Sequence, residues 1–86
     1  MTSLLLRALD VESREGPRVA AASALMRVDA KAGIPVVVKK LEAEEYFGES
    51  GRGMVYNDLV RLTGQSLGLG ETRKWEIWWQ QHQSEF

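Results

Sequence analysis

Few of the 86 residues could do chemistry, and those that could are scattered along the chain. His82 is the single histidine. A metal centre needs several converging ligands, and a nucleophile–histidine–acid relay needs a partner on each side of the imidazole. One isolated histidine supplies neither, so no metal and no cofactor is expected. Cysteine is absent, which removes disulfides, thiolate catalysis and cysteine-based zinc sites. Carboxylates crowd into EAEEYFGES, where Glu42, Glu44, Glu45 and Glu49 flank Tyr46 and Phe47. Two such groups could serve as general acid and base, but a solvated helix end running into a loop explains the same composition. The alternating Asp/Asn ligands of a calcium loop are missing, and Tyr46 and Phe47 are expected to pack beneath the chain here. The glycine run GQSLGLG lacks the spacing and the Gly-Lys-Ser/Thr end of a phosphate loop. The remaining chemical candidates are cations. Arg27 and Arg61, at matching places in two similar segments, could hold carboxylate or phosphate groups, or could complement the C-terminal ends of helices.

Something must position these side chains. Glycines, with Pro17 and Pro35, divide the chain into five segments at 3–10, 17–28, 34–46, 52–63 and 71–84. Ala, Leu, Lys and Glu dominate them, and all are good helix formers. Each proline falls where the first residue of a helix is expected. The run Val36–Val38 resembles a strand, but it leads into KKLEAEE and fits a helix better. The expected fold class is all-α, in one domain spanning 1–86. Opening on MTSLLLRALD, the chain has three consecutive leucines before Arg7. A secretory leader has an apolar core of about 7–15 residues, so none is expected here. Nor does any stretch approach the roughly 20 apolar residues of a membrane span. A cytoplasmic location and no membrane partner are expected. Eleven Lys and Arg balance twelve Asp and Glu, leaving a net charge of −1, which gives no global pull toward nucleic acid.

The segments repeat. LLLRAL at 4–9 resembles VVVKKL at 36–41, and RVAAASALMRV at 18–28 aligns with RGMVYNDLVRL at 52–62. Leu4 to Val36 is 32 residues, and Arg18 to Arg52 is 34. A period in this range marks stacked helical hairpins. The motif Arg18, Ala21, Ala22, Ala24, Leu25 resembles the second helix of HEAT-like repeats of the phycobilisome-lyase type, with Pro17 in place of the usual valine. The second copy keeps Arg52 and Leu59 but carries Val55, Tyr56 and Asp58 where alanines are usual. The resemblance implies a short α-solenoid with repeat 1 at 3–28, repeat 2 at 34–63 and a closing helix at 71–84. It further implies that the second helices line a concave face, so that Ser23, Arg27, Asn57 and Arg61 point into a groove with Met54 as an apolar contact. Arg18 and Arg52 would make internal contacts to acidic loop residues such as Asp10 or Glu42.

On a helix over 71–84, Trp75, Trp78, Trp79, His82 and Phe86 share an arc of roughly 100°, with Ile77 opposite. The aromatic face is expected to cap the last hairpin, because an end repeat leaves one apolar side uncovered. Truncating Trp78 or Trp79 is expected to cost about 3–5 kcal/mol. The functional expectation is a non-catalytic module that binds an unidentified protein partner through its concave face. Three other expectations stay open: an accessory subunit of a lyase-type or other enzyme, a nucleic-acid-binding HEAT-like domain, and a homodimer joined through the helix of the tryptophans and Ile77 or through the N-terminal leucines.

Overall fold

A computed structural model describes residues 2–43 and 45–86. Over those residues the chain forms five α-helices and no strand. They are α1 (Thr2–Val11), α2 (Glu15–Val28), α3 (Ala30–Leu41), α4 (Glu49–Thr63) and α5 (Thr72–His82), followed by a 3-10 turn at Gln83–Glu85. Helix α2 is central and touches α1, α3 and α4; α3 also touches α4 and carries α5. The radius of gyration is 11.7 Å, close to the ~12 Å of a globular chain this long.

Helix boundaries follow from local chemistry. The Glu12 side chain accepts from the backbone N–H groups of Ser13 and Arg14 and so closes the turn between α1 and α2. Those bonds, the Arg14 backbone N–H first and its guanidinium next, hold the Glu12 carboxyl below the usual carboxylate range. Between α2 and α3 a single residue does the work: the Asp29 N–H donates to Leu25 O, and its carboxylate accepts from Ala32 N at 3.1 Å. Helix α3 therefore starts at Ala30 rather than at Ile34. Pro35 is its sixth residue, not its first, and the N–H it lacks is the one that would have reached the Lys31 carbonyl. Pro17 is the third residue of α2, inside the first turn, where N–H groups have no helical partner. At the far end of α4, Gly64 adopts a left-handed φ of 72° and its N–H returns to Val60 O.

One alanine-rich stretch of α2 supplies Ala21, Ala22, Leu25 and Met26 to the core. Leu9 joins from α1, Ile34, Val37, Val38 and Leu41 from α3, Val55 and Leu59 from α4, and Trp75 and Trp79 from α5. Gly33 lets α3 pass close to α2: a Cβ there would sit 3.0 Å from Met26 N and 3.1 Å from Leu25 C. Both neighbours are backbone atoms, which cannot step aside.

Arg18 and Arg52 make internal contacts, but to carbonyls rather than to the expected carboxylates. Arg18 donates to Glu12 O at 2.7 Å and Tyr46 O at 3.0 Å; Arg52 donates twice to Leu41 O, at 3.1 and 2.9 Å. Glu12 O and Leu41 O lie at or just past the C-terminal end of the helix preceding each arginine, where carbonyls lack helical partners, and Tyr46 O lies in the loop between α3 and α4.

Candidate functional site

Helices α2 and α4 lie side by side and run in the same direction. Glu15 abuts Gly48, Val19 abuts Gly51, and the Ser23 hydroxyl bonds the Asp58 carboxylate. Between them is a groove of about 710 Å³, the larger of two described hollows. Gly51 sets its floor, since any side chain there would collide with Val19. Val19, Ala20 and Phe47 give apolar lining. Phe47 is buried beneath the loop, edge-on to Tyr46 with 4.7 Å between ring centres.

Ser23, Arg27, Met54, Asn57 and Arg61, singled out from the repeat pattern, all line this one groove. Met54 is 60% exposed, a high value for a large apolar side chain. Sequence reasoning missed two further members. Asp58 accepts from Ser23 and lies 3.5 Å from Arg61, and its carboxylate is mostly covered, with 18% of the side chain exposed. Its position one turn before Arg61 was the available signal. Glu15 sits at the other end of the groove against the start of α4. Arg27 has no ion-pair partner among the described residues.

Other candidates separate. Glu42, Glu45 and Glu49 are exposed, and Glu44 lies outside the described residues. Among the described residues, no three His, Asp or Glu side chains converge as metal ligands would. Tyr46 is half-buried. Its hydroxyl donates to Leu9 O, and Arg18 and Lys40 sit over its ring at 4.3 and 4.8 Å. Burial pushes the phenol above its ordinary range, against the lowering influence of Arg18.

The tryptophan face divides. Trp75 and Trp79 are buried against α3, and Trp75 Nε1 donates to Gly68 O at 3.0 Å. Trp78 and His82 are half-buried and stack on each other at 4.6 Å, with His82 Nδ1 2.7 Å from Glu85. Phe86 and Ile77 are exposed at 41% and 50%. A smaller hollow of about 290 Å³ separates Pro35 and Val38 from Trp75 and Trp79, with Glu76 and Gln80 on its rim.

No family model, curated protein or solved structure matches this chain. Among the described residues no helix is long and apolar enough to cross a membrane.

Proposed function

We propose that the chain is a short HEAT-like solenoid of two hairpins, closed by α5, and that it works as a non-catalytic module receiving a segment of another protein in the α2–α4 groove. The observation that carries this reading is the side-by-side stacking of corresponding stretches of α2 and α4, within one or two residues of the repeat alignment. Glu15 meets Gly48, Val19 meets Gly51 and Ser23 meets Asp58, each pair about one repeat apart in sequence. Translational stacking of second helices is what a solenoid predicts. Its consequence is a shared groove that combines exposed Met54 and two arginines with an apolar floor. A small apolar hollow with a few placed polar groups is the usual form of a recognition site.

Peptides selected from a random library for binding to this chain provide the test, with their footprint mapped by amide chemical shifts. Shifts should concentrate on Ser23, Arg27, Met54, Asn57 and Arg61. The double substitution Arg27→Glu, Arg61→Glu should leave the far-UV circular dichroism unchanged, because both side chains are exposed. Affinity should fall at least about tenfold, since an acidic ligand would then face like charge. Footprints that lie elsewhere, or full affinity in the double variant, would overturn the proposal.

A further inference from the structure

We propose that the occupant of this groove is an extended, charge-polarised peptide segment of five or six residues, bound in one direction: acidic end beside Arg27 and Arg61, basic end beside Glu15, and an apolar side chain on Met54. The proposal rests on the groove reading above and adds the chemistry and orientation of the partner.

Only Glu15, Arg27, Asp58 and Arg61 among the groove's lining residues are ionic. Asp58 is engaged by the Ser23 hydroxyl and by Arg61, so it fixes Arg61 in place more than it presents charge outward. That leaves a carboxylate at the start of α2 and, at the other end, the Arg27 guanidinium, without an ion-pair partner among the described residues, beside the Asp58–Arg61 pair, so that this end is net positive. Because the two helices run parallel, like ends coincide and the groove is polar along its length.

Twelve residues of helix separate Glu15 from Arg27, or about 18 Å at 1.5 Å per residue. An extended chain covers this in five or six residues at about 3.3 Å each. The separation also exceeds the Debye length of about 8 Å at physiological ionic strength. Each end therefore responds to the charge placed beside it and not to the ligand's net charge. A segment with the right composition in the wrong order satisfies neither end.

The probes are hexapeptides, acetylated at the N-terminus and amidated at the C-terminus, with two glutamates at one end, two lysines at the other and two leucines between them. They are made in both chain directions, with a control of identical composition and scrambled charge order. A spin label on the acidic end should broaden the amide signals of Arg27 and Val28 and spare those of Glu15 and Gly16. The better polarised peptide should bind about fivefold or more tightly than the scrambled control. In the variant Glu15→Arg, Arg27→Glu, which keeps the net charge, the broadening should move to the opposite end. Should that variant fail to fold, Arg27→Glu alone should abolish the preference for one orientation. Equal affinity of polarised and scrambled peptides, or equal broadening at both ends, would overturn the polarity while leaving the groove as a binding site. If none of the peptides moves a groove resonance at millimolar concentration, this occupant is ruled out, and the library footprint decides the groove reading separately.

Discussion

Tyr46 ties three elements together through one side chain. Its hydroxyl donates to the last turn of α1, its ring lies under Arg18 of α2 and Lys40 of α3, and its carbonyl accepts from Arg18. Burial favours the neutral phenol, so its pKa in the folded chain is raised above the ordinary tyrosine value of 10.0. A raised value means the folded state resists losing that proton. The stabilisation is complete below the unfolded pKa and disappears as pH climbs from about 10 through the folded pKa. Urea midpoints measured between pH 8 and 11 should therefore fall more steeply for the wild type than for Tyr46→Phe, which has no proton to lose. Parallel curves would mean that the phenol is solvated in the folded chain. In the sequence, Tyr46 could be placed only as an aromatic packing near a loop. That its hydroxyl reaches Leu9, 37 positions away, depends on how two hairpins lie together, and local pattern carries no such information. The same limit applies to Arg18 and Arg52. Their repetition was visible, but a carbonyl acceptor leaves no mark in the sequence, and the carboxylates nearby were the only partners that side-chain types could suggest.

At the scale of elements, the five helices were legible because their glycine boundaries and helix-forming composition agree. Boundaries were less so. By local rule Pro35 marks a helix start, yet Asp29 caps α3 and the helix begins five residues before that proline. Helix α5 shows how far periodicity reaches. It placed Trp75, Trp78 and Trp79 on one arc, but only the two that face α3 are buried; an arc of that width is broader than the contact it makes. Trp79→Ala should therefore cost about 3–5 kcal/mol, and Trp78→Ala roughly 1–2 kcal/mol, mainly lost aromatic contacts with Trp75, His82 and Phe86. Thermal and urea unfolding of both variants will check this. Equal losses would show that Trp78 is as deeply packed as its neighbour. The groove residues were legible for a different reason: offsets near 34 residues brought Arg27 and Arg61 to equivalent places, and parallel helices then set those places side by side. Asp58 escaped notice as a groove residue because it does not match Ala24, the residue at the corresponding place in α2.

For the whole molecule, the order of contacts is uneven. Helix α2 is packed by three others, whereas α5 rests mainly on α3, with Trp75 reaching Tyr56 and Gly68 at its edge. Native chains open in cooperative pieces whose free energies follow such differences. Hydrogen exchange should accordingly be two-tiered. Amides of α5 should exchange through detachment of that helix alone, well before those of α2, which should exchange only when the whole chain unfolds. Denaturant should pull the two tiers together, because global opening exposes more surface than release of one helix. Identical exchange free energies in α2 and α5 would make the molecule a single cooperative unit. In the two-tiered case, each release of α5 strips the cover from Pro35 and Val38. The fully folded chain then coexists with a sparse four-helix form whose sticky side is hidden almost all of the time, and the population of that form, more than the stability of the core, governs how readily the protein is cut by proteases or associates with itself.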